Sequence, residues 1–146
     1  MENYRIVMTL IEQGDNYVLQ RRDSNPNIGA AGLVGCFGGK IETGEAPKAA
    51  AAREVSEETS LKPNPVDLEF VGEVDVVSDR NGQPIQVNSQ VFRLTVDPDT
   101  KIEATDGQRI IYAKDGAESH LSEMTPATRA TFQDFILKEK HGSEHH

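Results

Sequence analysis

The stretch Gly39–Leu61, GKIETGEAPKAAAAREVSEETSL, leads from a glycine-rich turn into a helix-forming run that ends in a cluster of acids. Pro47 suits the first turn of a helix, where its missing N–H has no partner to lose. Lys62-Pro63-Asn64-Pro65 stops the helix, which is expected over roughly 47–59. At 3.6 residues per turn, Glu54, Glu57 and Glu58 fall within an arc of about 100°. Ala51, Ala52, Val55 and Thr59 take the opposite side and would let the helix lie close on a sheet. Like charges at these spacings repel by about 0.2–0.5 kcal/mol per pair, so something should offset the crowding. A bound cation and a well-solvated face both answer that need. Arg53, four residues before Glu57, is spaced for an ion pair with it. Gly38-Gly39 just upstream allows a backbone carbonyl to approach the same face, and a hard cation such as Mg²⁺ seeks such oxygens.

Outward from this helix the chain reads as strands. Tyr4–Ile11 alternates and is rich in branched residues, Gln13-Gly14-Asp15-Asn16 turns, and Tyr17–Arg21 returns. Residues 23–32 read as a loop. Residues 35–41 form a short, glycine-broken strand. Two longer strands, 68–77 and 85–96, flank the hairpin signal Asp79-Arg80-Asn81-Gly82. A further strand covers 108–113. Thr125-Pro126 caps a last amphipathic helix to about Leu137, with Ala130, Phe132, Phe135 and Ile136 as core candidates. The expected class is α/β with a mixed sheet, in one domain over 1–140. The tail 141–146, HGSEHH, stands apart, and its histidines are left out of the metal reading.

The 146 residues suffice for one buried core. A net charge of -9 argues against a general nucleic-acid binder, which needs Lys and Arg. It leaves room for phosphorylated small molecules where a metal ion supplies local positive charge. One cysteine, Cys36, excludes an internal disulfide framework. No apolar run approaches a membrane span, and no signal-peptide layout is present, so the expected address is the cytoplasm.

The same residues resemble the Nudix hydrolase box. That box reads Gly, five residues, Glu, seven residues, Arg-Glu, an aliphatic, any residue, Glu-Glu, any residue, Gly, an aliphatic. Here stand Gly39, Glu45 and Arg53-Glu54-Val55-Ser56-Glu57-Glu58-Thr59-Ser60-Leu61, departing only at Ser60. A serine forced into the left-handed conformation would cost about 1 kcal/mol, unless the helix ends another way. Ala46 is likewise a weak cap before Pro47, by about 1 kcal/mol.

The resemblance implies an α/β/α sandwich and hydrolysis of a nucleoside diphosphate linked to another group, with Mg²⁺ or Mn²⁺. It implies Glu57 and Glu58 as main metal ligands, the Gly38 carbonyl completing the shell, and Glu54 as a further ligand and candidate base. Glu45 and Arg53 would steer the carboxylates. Asp106 falls where some members place another acidic ligand, and is otherwise a turn aspartate. Arg22, Phe37, Gly39 and Lys40 are the substrate-side candidates. Arg22 also fits a surface arginine, and Phe37 a buried core aromatic. Cys36 reads as a small core residue, His120 as a loop residue, and Thr128 and Arg129 as helix-start polarity.

The proline and tyrosine that mark ADP-ribose and dinucleoside polyphosphate hydrolases past the box are absent; Asp75 to Ser78 occupy that region. The expected substrate is a nucleoside triphosphate or modified nucleotide. A nucleotide-sugar hydrolase or a non-catalytic nucleotide-binding module of the same family are the alternatives, and the protein works as a monomer or homodimer.

Overall fold

Alternation along the first strand sets up both layers of the core. In the computed structural model, which describes residues 1–22, 32–105 and 108–138, β1 (Glu2–Gln13) sends Val7 and Ile11 to one face and Met8 and Leu10 to the other. Around it lie β2 (Asn16–Arg21), β3 (Val34–Gly35), β4 (Phe37–Lys40), β5 (Glu69–Arg80), β6 (Gln83–Val96) and β7 (Arg109–Lys114). One edge of β1 pairs in parallel with β6 along its whole length. Its other edge is shared by β4, opposite Ile6–Thr9, and β2, opposite Ile11–Gln13, both antiparallel. β2 also pairs with β3 and β7, and β5 closes the far side against β6. The sheet is therefore mixed, as expected.

The helix α1 (Pro47–Glu58) covers one face by burying Ala50, Ala51, Ala52 and Val55. These pack with Val7, Ile11, Phe37, Phe92 and Leu94. The opposite face carries Met8, Leu10, Leu19, Val91 and Met124 under α2 (Pro126–Thr131). Thr125 caps α2 by accepting from the Thr128 N–H at 3.3 Å. The last helix was expected as one run to Leu137. After Thr131 it instead widens into a π-helical segment, Phe132–Leu137, which buries Phe132, Ile136 and Leu137. The segment Asp115–Glu123, where His120 was expected as a loop residue, coils into 3₁₀ turns with Gly116 and Ala117 in the left-handed region at φ 73° and 58°.

The β5–β6 hairpin turns on Asn81 and Gly82, both with positive φ, as its sequence signal required. α1 ends without a left-handed residue. Thr59 is extended (φ -136°), and the Ser60 N–H donates to the Glu103 carbonyl at 2.8 Å while the Ser60 hydroxyl accepts from the Glu103 N–H at 2.9 Å. The chain thus leaves the helix as a strand-like bridge to Ala104, and serine serves where a left-handed cap would have needed glycine. No helix among the described residues is long and apolar enough to cross a membrane.

Candidate functional site

The acidic arc of α1 is organised by one arginine. Arg53 donates from Nε and Nη2 to the two oxygens of Glu45, at 2.7 and 2.9 Å, a bidentate fork. Its Nη1 reaches Glu54 at 2.9 Å and Glu57 at 3.3 Å, and Nη2 also donates to the Lys40 carbonyl at 3.1 Å. This pairing pulls the Glu45 carboxyl down to about 2, chiefly through the hydrogen bond from Arg53. The same bonds hold Arg53 above its ordinary range.

Glu58 faces β4, and so does Glu54, which Arg53 also holds. Gly39 makes space for Glu54: a Cβ on Gly39 would lie 2.6 Å from the Glu54 carboxyl. Burial is the main force raising the Glu54 carboxyl above its usual value, against the pull of Arg53. Glu58 accepts from the Gly38 N–H at 2.8 Å. Burial first, then the neighbouring Glu54, pushes Glu58 up to about 7. Gly38 thus meets the helix through its N–H. A Cβ on Gly38 would run into the Val7 carbonyl at 2.0 Å, so only glycine fits that close approach to β1.

Beside this strip lies a cleft of about 370 Å³. Gly38, Gly39, Lys40 and Arg22 line it, with an apolar floor from Ile6, Met8 and Val87. Arg22 is exposed and its charge acts on Glu58. Lys40 lays its ammonium 4.5 Å from the centre of the Tyr4 ring. Phe37, taken as a substrate contact, is corrected: it is fully buried against α1 and does not line the cleft, because alternation turns it to the opposite face from Cys36 and Gly38. Cys36 does line the cleft, but burial pushes its thiol up to about 12, which leaves it an inert side chain at neutral pH. Thr128 also lines it and accepts from the Cys36 N–H at 3.1 Å. Arg129 instead caps the carbonyls of Leu121 and Met124. His120 pairs with Glu123. Asp106 lies outside the described residues.

Two cleft residues, Gln20 and Arg80, were not singled out from sequence. Alternation back from Arg22 places Gln20 on the same face two residues earlier, a usable signal. Arg80 reaches the cleft only because β5 lies beside β6, which no local pattern reveals.

The donors suit a hard divalent cation, being carboxylates with a backbone strip beside them. Yet among the described residues no three His, Cys, Asp or Glu side chains converge as a ready cage. Arg53 holds Glu57 and Glu54 toward itself, while Glu58 faces Gly38. The guanidinium supplies the positive charge this cluster requires, and Glu57, with its side chain 58% exposed, is free to swing from it.

A family model described as NUDIX domain matches residues 3–134. The fold is similar to that of a MutT protein from Methanosarcina mazei Go1, at 24% identity and a TM-score of 0.71 over 95% of this chain and 96% of that one. It is also similar to the E. coli dihydroneopterin triphosphate pyrophosphohydrolase, at 18% identity and 0.67, covering 94% and 99%. A bifunctional NMN adenylyltransferase/ADP ribose pyrophosphatase from Francisella tularensis, complexed with AMP and Mn ion, matches at 21% identity and 0.68. That match covers 94% of this chain, which spans only 42% of the bifunctional protein. At these identities the likeness is one of fold.

Proposed function

The chain belongs to the NUDIX domain family, hydrolases of nucleoside diphosphate derivatives, and on that premise we propose that it cleaves a phosphoanhydride bond in a nucleoside triphosphate or modified nucleotide, by attack of water at phosphorus. One observation carries the reading. The carboxylates of Glu54 and Glu58 are tucked under the Gly38–Gly39 strip that also lines the cleft, so substrate and acids share one wall.

A polyphosphate entering beside these acids, on a chain of net charge -9, meets repulsion that Arg22 and Lys40 alone cannot offset. Glu57, Glu58 and Glu54 would hold Mg²⁺ or Mn²⁺ there. When bound, the ion neutralises phosphate charge and makes water a better nucleophile. The apolar floor of Ile6, Met8 and Val87 shelters the base, and Arg22 at the rim meets phosphate oxygens. Glu54, whose carboxyl fills the space left by the absent Gly39 side chain beside the cleft, accepts the proton from the attacking water. Arg53 and Glu45 brace the helix face from behind and take no part in proton transfer.

Incubation with a panel of nucleoside triphosphates, modified nucleotides and nucleotide sugars in Mg²⁺ tests this through release of phosphate and pyrophosphate. Glu57→Gln is expected to keep the fold while lowering kcat by at least about a hundredfold. No product from any nucleotide, or full activity in that variant, would overturn the assignment.

A further inference from the structure

The floor of the cleft crosses four strands in the order β4, β1, β6, β5, fixed by the pairings of Lys40 with Ile6, Tyr4 with Val87 and Val87 with Val76. At a strand spacing of about 4.8 Å, the backbone of β5 stands about 14 Å from the Gly38–Gly39 strip. Between them the floor is apolar: Met8 and Ile6 on β1, Val87 and Ile85 on β6, Val76 on β5. Arg80 ends that surface. Alternation along β5 turns Val76, Ser78 and Arg80 to the cleft, and the guanidinium leans back across β6 to Tyr4 of β1. Its Nη1 donates to the Tyr4 hydroxyl, and its central carbon lies 5.4 Å from the centre of the ring. The Tyr4 hydroxyl donates in turn to Glu2 at 2.6 Å, so the ring is itself fixed. Asp79, which also lines the cleft, is taken up by the hairpin, where it accepts from the Gly82 N–H at 3.1 Å. Among the described residues Arg80 forms no ion pair, and Tyr4 takes one of its five N–H donors.

We propose that Arg80, braced by Tyr4, is a specificity-determining residue that selects guanine or hypoxanthine nucleotides by donating to O6 and N7 of the base. This rests on the reading above that the apolar floor shelters the base while phosphates lie by the Gly38–Gly39 strip. A phosphate at Arg80 would have to leave that strip and cross the floor, whereas Lys40 adjoins the strip. A base lying on Ile6 and Val87 brings its polar edge to the guanidinium instead. A guanidinium only donates, and its fork matches two adjacent acceptors such as O6 and N7 of guanine. Adenine sets an amino donor beside N7, and cytosine also presents an amino group, so either leaves an arm of the fork unpaired.

The experiment measures kcat/KM of the full chain in Mg²⁺ with GTP, ITP, ATP, CTP and 7-deaza-GTP, for wild type, Arg80→Met, Arg80→Lys and Tyr4→Phe. Thermal melts accompany each variant; Arg80 is exposed at the end of a hairpin strand, so its loss should spare the fold. Wild type is expected to prefer GTP and ITP over ATP and CTP by about tenfold or more, and to lose part of that preference on 7-deaza-GTP, which lacks the N7 acceptor. Both Arg80 variants should bring GTP and ATP to within about twofold of each other, since lysine keeps the charge without the fork. Tyr4→Phe, which keeps the ring and removes the brace, should lower the preference less. Hydrolysis by wild type with no preference for GTP and ITP would overturn the role of Arg80 and leave the hydrolase reading standing. So would folded Arg80 variants that keep the preference, or that lose every nucleotide in equal proportion. No turnover of any nucleotide by the folded wild type would overturn both.

Discussion

Gly39 shows how one missing side chain shapes the site. Its backbone has no need of a left-handed conformation; what matters is the space its absent Cβ leaves for the Glu54 carboxyl. Glu54 cannot simply retreat, since Arg53 holds it at 2.9 Å. Gly39→Ala is therefore expected to displace Glu54 by roughly an ångström and to lower kcat on the order of a hundredfold. Because the clash is with the tip of one side chain, the melting temperature should fall far less than for a core substitution. Turnover and thermal melts on the same preparation check this, and unchanged kcat would mean that Glu54 tolerates the shift.

At the scale of the element, α1 is well made in its body and plain at its ends. Its N-cap, Ala46, has extended backbone and no capping side chain. Ala46→Ser should stabilise the fold by about 1 kcal/mol, read by urea denaturation. Ser60→Gly, which restores the family's box, should do the opposite. Ser60 has negative φ and its hydroxyl takes the Glu103 N–H, so glycine loses a hydrogen bond and adds unfolded-state freedom, together about 1–2 kcal/mol. A stabilising Ser60→Gly would show that the helix end can revert to a left-handed cap.

Helix and strand periods made α1, the order of the strands and the hairpin at Asn81-Gly82 legible before any coordinates, because each rests on local pattern. The carboxylate face was legible for the same reason. What local pattern could not supply was direction. Phe37 and Cys36 are adjacent, and only the placement of α1 and α2 decides which of them faces the core under α1. The widening at Phe132 follows from packing against the sheet, where Phe135 sits over Gly72, and leaves no mark in a helical period. The grip of Arg53 on several acids at once was readable only as the spacing to Glu57; Glu45 comes within reach because the turn at Gly44 folds it back.

For the whole molecule, buried acid makes stability depend on pH. Glu58 is raised from 4.5 to about 7 by burial and by Glu54, so the fold favours its protonated form. Its contribution is fully present below the unfolded value and is lost as pH rises through about 7. Glu45 runs the other way, contributing above its unfolded value and losing that only as pH falls through about 2, outside the working window. The metal-free protein should thus melt about 5 °C lower at pH 8 than at pH 5.5, after allowance for partial exposure of the group. Mg²⁺ should narrow that gap by favouring the ionised carboxylate, and chelation should restore it. A melting temperature flat across this range would remove Glu58 as the titrating group.

The parallel pairing of β1 with β6 has a bearing on how the protein is born. Glu2–Gln13 leaves the ribosome long before its partner Ile85–Val96 exists. Until then β1 can pair only with its antiparallel neighbours β2 and β4, on one edge. Closing so distant a pair is slow. The nascent chain therefore carries an open strand edge until β6 emerges, and that interval is when a chaperone would have most to hold.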